Sequence, residues 1–83
     1  MTSRTILLVD DDNDLRGTLV EQLSLYEEFD VLQEQTAAKG IATARAGVVD
    51  ILIMDVGLPD MDGREAVKLL GKGGFKGAVI MLT

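Results

Sequence analysis

The sequence predicts an α/β fold in which a doubly wound parallel sheet carries helices on both faces. Three observations point there. Residues 6–9, 51–54 and 78–82 are uninterrupted apolar runs, as expected for strands buried on both faces, the usual condition of a parallel sheet. Stretches of helical periodicity separate them, giving the order β-α-β-α-β-α-β with short connections. The chain has 83 residues, enough for one small domain of marginal stability. Right-handed crossovers then bring every strand's carboxyl end to one edge of the sheet, where ligands of such sheets bind.

The elements follow in order. Residues 5–10 form the first strand. Over residues 13–27, Leu15, Leu19, Leu23 and Tyr26 recur at helical spacing, with Asp12 or Asn13 placed as N-cap and polar residues on the other side. Residues 29–35 alternate weakly and predict an edge strand. Tyr26 and Phe29 flank this helix–strand turn and are expected to pack there. Thr36 caps a second helix over residues 37–46, stopped by Gly47, with Ala38, Ile41, Ala42 and Arg45 as its sheet-facing side. Residues 50–55 form the second buried strand. Leu58-Pro-Asp-Met-Asp-Gly63 has turn chemistry, and residues 64–72 form a helix facing inward through Ala66, Val67 and Leu70. A glycine-rich connector over 71–77 leads to the last strand, 78–82. Met54 and Met81 are expected in the core.

Composition narrows the chemistry. With no cysteine and no histidine, disulfides, thiolate or imidazole metal sites and Cys–His or Ser–His catalytic pairs are excluded. Only oxygen-ligated cations remain. A net charge of −6 argues against direct nucleic-acid binding by these residues. No apolar run approaches the roughly 20 residues of a membrane span, and no signal-peptide core follows the amino terminus. The sequence therefore predicts a cytoplasmic protein without a membrane partner.

The candidate site lies where the apolar runs end. Asp10, Asp11 and Asp12 follow the first run, Asp55 follows the second, and Thr83 follows the last. Taken singly, such acids are explained by helix capping or by turns, as at Asp12, Asp60 and Asp62. The set is not. Carboxylates gathered at one sheet edge repel and raise one another's pKa, which costs stability unless a cation compensates. Mg2+ fits, since it usually keeps several waters and needs few protein ligands. Arg16 is expected either to pair with Asp12 one turn back, the simpler arrangement, or to lean over the acidic pocket.

Leu-Leu-Val-Asp-Asp-Asp at 7–12, Met-Asp-Val-Gly-Leu-Pro-Asp-Met-Asp-Gly at 54–63 and the final Val-Ile-Met-Leu-Thr resemble, in order, the receiver domain of two-component response regulators. The resemblance implies a flavodoxin-like receiver fold with strand order 2-1-3-4. It implies that Asp55 accepts a phosphoryl group from a sensor histidine kinase or phosphotransfer protein, and that Asp11 is the direct magnesium ligand. Asp10 would be its neighbour acting through water, and Gly57 would add a backbone carbonyl. Thr83 would be the switch hydroxyl, with Pro59 and Gly63 holding the turn. On this reading the protein is a phosphoacceptor in signalling rather than an enzyme, and regulates transcription through a DNA-binding effector domain outside these residues.

The family's fourth and fifth helices, and its fifth strand with a phosphate-binding lysine, have no counterpart here. None of Lys39, Lys68, Lys72 and Lys76 falls at a strand's carboxyl end. Truncation after the fourth strand, weakened phosphate acceptance and self-association through the open edge 78–82 are therefore expected. Two rival patterns compete. Asp10 and the residues after it resemble the start of haloacid-dehalogenase phosphatases, but residue 14 is Asp rather than Thr and Asp55 is left without a role. Asp10, Asp12, Asp14 and Glu21 have the spacing of a calcium loop, but Leu15 stands where its sharp turn needs glycine. A metal-binding or dimerising module without phosphotransfer is the remaining alternative.

Overall fold

Residues 3–83 are described by a computed structural model. They form strands β1 (Arg4–Val9), β2 (Phe29–Glu34), β3 (Ile51–Asp55) and β4 (Ala78–Leu82). The helices are α1 (Asn13–Ser24), α2 (Ala37–Ala46) and α3 (Gly63–Lys72). The strands make one parallel sheet in the order β2-β1-β3-β4. That is the predicted architecture, with β2 at one edge and β4 at the other.

Register explains the layering. Leu7 pairs with Leu52 and Val9 with Met54, so these four fully buried side chains share one face. Helices α2 and α3 cover it with Ala37, Ile41, Ala44, Ala66 and Leu70, and Met81 and Phe75 pack against the same cluster. Ile6 and Leu8 point to the opposite face, where α1 lies against β1 and β2. The order reverses between β1 and β3, so the crevice at the carboxyl edge opens between them.

Several expectations need correction. Helix α1 stops at Ser24, three residues early, because Leu25 and Tyr26 turn their N–H groups back onto Gln22 and Leu23. Its apolar stripe is shallow: Leu15 and Tyr26 are largely exposed, Leu19 and Leu23 only half-buried, and the one buried side chain is Arg16. The buried face of α2 is Ala37, Gly40, Ile41 and Ala44. Ala38, Ala42 and Arg45 face outward. The cause is Gly40, which lets the helix axis approach Val9 so closely that an added Cβ would stand 2.7 Å from Val9 Cγ2. Tyr26 and Phe29 do pack, with ring centroids 5.7 Å apart.

Candidate functional site

Strand β1 ends at Val9, and the next three residues turn the chain into α1. The Asp12 side chain accepts the Leu15 N–H at 3.0 Å, capping the helix. Asp10 turns the other way. Its carboxylate accepts the Asp12 N–H at 2.9 Å and is almost fully buried at 2% exposure. Asp11 stays exposed beside it. Strand β3 brings Asp55 to the same edge, half-buried. Oxygens of Asp10, Asp11 and Asp55 lie within 4.8 Å of one another, so the three acids read from the sequence do converge.

The convergence has an electrostatic cost. Burial, followed by the charges of Asp55, Asp11 and Asp12, raises the Asp10 carboxyl above its ordinary value against the lowering effect of the Asp12 N–H. Three carboxylates without nitrogen or sulfur donors form a hard-oxygen set suited to a small divalent cation.

The segment after Asp55 is tied at several points. Gly57 donates its N–H to Asp55 Oδ1 at 3.2 Å, and Gly57 and Asp62 form an isolated antiparallel bridge. Val56 donates to the Leu82 carbonyl at 3.1 Å and Gly63 to the Val56 carbonyl at 2.9 Å. Leu82 is the register partner of Asp55, and Thr83 follows it directly, exposed at the same edge. Asp62 caps α3 through the Arg64 N–H at 2.8 Å. The Arg64 side chain and that N–H hold the Asp62 carboxyl down at about 2.

Two roles escaped the sequence reading or were misassigned by it. Asp60 reaches beyond its own turn: its two oxygens accept the N–H groups of Ala37 and Ala38, each at 2.9 Å. Nothing in the local sequence announces a cap supplied from more than twenty residues away. Arg16 does not pair with Asp12, because its guanidinium is drawn inward to Gln33, Asn13 and the Asp10 carbonyl. The calcium-loop alternative fails on geometry, since residues 13–24 are helix.

Among the described residues, no helix is long and apolar enough to cross a membrane. The response regulator receiver domain profile matches residues 6–83. Transcriptional regulatory protein CiaR of Streptococcus pneumoniae is 32% identical over 78 residues, covering 94% of this chain and 34% of CiaR. Cell cycle response regulator CtrA of Brucella ovis is 28% identical, covering 94% of this chain and 33% of CtrA. The chain thus spans about a third of the length of these relatives. A CheY-like response regulator receiver domain protein from Methanospirillum hungatei superposes with a TM-score of 0.90 at 29% identity, over 96% of this chain and 63% of that one.

Proposed function

The chain belongs to the response regulator receiver domain family, and from that premise we propose that it is a phosphoacceptor module with Asp55 as the acceptor. The donor is a phosphohistidine of a sensor kinase or phosphotransfer protein. Support comes above all from the convergence of Asp10, Asp11 and Asp55 at the carboxyl edge of β1 and β3. The haloacid-dehalogenase alternative, with Asp10 as nucleophile, leaves that arrangement of Asp55 unexplained.

The donor set fits magnesium, which Asp10, Asp11 and Asp55 would hold with the Gly57 carbonyl. When bound, the ion would neutralise charge on the transferring group and let an anionic acceptor approach it. The chain's own residues do the rest. The Gly57 N–H engages one Asp55 oxygen, leaving the other to attack phosphorus. A P–O bond forms to Asp55 as the P–N bond to the donor's imidazole breaks, and the imidazole leaves with that electron pair. The new acyl phosphate adds charge and acceptor oxygens that the Thr83 hydroxyl can meet, a local change able to bias a loop between two states.

Acetyl phosphate with and without MgCl2 tests this. Slow, magnesium-dependent formation of a hydroxylamine-labile adduct on Asp55 is expected, absent in Asp55→Ala. An adduct that survives that substitution refutes the assignment. Transcription control is proposed for the whole protein, because CiaR is a transcriptional regulatory protein; these residues would supply the input and a DNA-binding effector the output. The partly exposed Val79 and Ile80 on edge strand β4 also favour self-association. Light scattering at micromolar concentration should show a dimer or larger species, and a monomer removes this reading.

A further inference from the structure

Arg16 is the one cation the fold buries among the described residues, at 8% exposure. A buried guanidinium is ordinarily paired with a carboxylate, since burying a charge without strong partners is costly. Here, among the described residues, no carboxylate lies within salt-bridge distance of it. Its donors go instead to three neutral oxygens. Nε donates to Gln33 Oε1 at 3.0 Å, Nη1 to the Asp10 carbonyl at 2.8 Å, and Nη2 to Asn13 Oδ1 at 2.8 Å.

Those three oxygens belong to β2, to the residue just past β1 and to the first residue of α1. One rigid planar fork therefore joins the three elements that frame the acidic turn. Asp10 is held at two other points: its N–H donates to the Glu34 carbonyl at 3.1 Å, and one carboxylate oxygen accepts from Asp12. The Asp10 carbonyl lies one residue past the β1 ladder, and Arg16 supplies a buried partner for it.

We infer that Arg16 is a positioning residue for the cation site, acting through the backbone of Asp10 rather than through any ligand oxygen. It fixes the peptide between Asp10 and Asp11, and so the direction in which both carboxylates leave the chain. Because its donors avoid carboxylates, it does so without withdrawing Asp10 or Asp11 from coordination. A salt bridge from the same place would have consumed a ligand. This inference rests on the proposed magnesium reading of the acidic cluster.

The test is calorimetric titration of MgCl2 alone into the unphosphorylated protein, with no phosphotransfer required. Arg16→Met should weaken magnesium binding about tenfold or more, the usual effect of removing a group that orients a metal ligand. Arg16→Lys should recover part of the loss, since an ammonium can reach the Asp10 carbonyl but cannot span all three oxygens. Leu70→Ala, a core truncation near the far end of α3, should lower the melting temperature and leave magnesium affinity unchanged. Wild-type affinity in Arg16→Met overturns the inference and reduces Arg16 to a structural residue. Should Arg16→Met not fold, Gln33→Leu and Asn13→Ala each remove one prong; each is expected to weaken binding, and unchanged affinity in both overturns the inference. Absence of magnesium binding by the wild-type protein overturns the cluster reading itself, a separate outcome from failure at Arg16 alone.

Discussion

Three glycines inside helices should answer the same substitution in three different ways. In an unconstrained helix interior, Gly→Ala stabilises by about 0.5–1 kcal/mol. Gly17 in α1 is exposed and an added Cβ would meet nothing within 4 Å, so Gly17→Ala should show that full gain. At Gly40 the added Cβ would stand 2.7 Å from Val9 Cγ2 and 3.1 Å from Cγ1. Val9 is fully buried and β-branched, so it cannot rotate away. Overpacking of about 1–3 kcal/mol outweighs the propensity gain, leaving a net loss of roughly 0–2.5 kcal/mol. Gly63 is the severe case, because its Cβ would lie 2.0 Å from the Asp55 carbonyl oxygen and 2.9 Å from the carbonyl carbon. Backbone atoms have no rotamer to escape into. Restoring a normal C···O separation of about 3.3 Å requires the first turn of α3 to retreat by about 1.3 Å. We expect a loss of about 3 kcal/mol or more, a large share of the roughly 4–12 kcal/mol available to a domain this size. Urea unfolding followed by far-UV circular dichroism measures all three. A Gly63→Ala protein within about 1 kcal/mol of wild type would refute the close approach of α3 to Asp55.

Two further expectations concern charge. Asp10 binds a proton more readily folded than unfolded, so its contribution to stability falls as pH rises above about 4. Asp10→Asn should therefore raise the melting temperature in magnesium-free buffer at neutral pH, and MgCl2 should stabilise the wild type more than the variant; a lower melting temperature without magnesium would contradict this. Asp60 and Asp62 have the opposite sign. Both carboxyls are lowered on folding, Asp60 by the N–H groups of Ala38 and Ala37 and Asp62, to about 2, by Arg64. Their stabilisation is present above the unfolded value near 3.8 and disappears as pH falls through the folded values. Asp60→Ala should lower the melting temperature at neutral pH and flatten its fall with acid, and an unchanged profile would mean that water caps α2 equally well.

How legible each feature was depended on whether its cause is local. The apolar runs before Asp10, Asp55 and Thr83 specify parallel strands because alternation is absent, but only the first is buried on both faces; β3 is fully buried on one face and β4, at the sheet edge, is exposed or half-buried throughout. Convergence of Asp10, Asp11 and Asp55 then follows from topology alone. The buried side of α2 was misread because a count of apolar residues ranks Ala38 and Ala42 with Ala37 and Ala44. The deciding residue is Gly40, whose missing side chain lets Val9 in. Arg16 was misread for a related reason. Helical spacing offers Asp12 or Asn13 as a partner and Asn13 is the one used, but the other two partners come from β2 and a main-chain carbonyl, which no periodicity encodes. Asp60 accepts from across the fold, so its turn chemistry predicted the wrong donors.

The same long-range bonds suggest why the segment after Asp55 can carry a signal. It is anchored on two sides that do not otherwise meet. On one side, Val56 donates to Leu82, the residue before Thr83. On the other, Asp60 accepts from the first two amides of α2. Between these anchors, Gly57 engages the Asp55 carboxylate itself and bridges to Asp62, the cap of α3. A new charge on Asp55 would change the acceptor that Gly57 sees, and rigid links lead from Gly57 to β4, α2 and α3. Asp10, whose carboxyl is raised by burial and by the charges of Asp55 and Asp11, has an oxygen within 4.8 Å of the Asp55 carboxylate, so a change of charge on Asp55 is felt there directly. A better-compensated pocket would be more stable and would have less reason to rearrange when its charge changes.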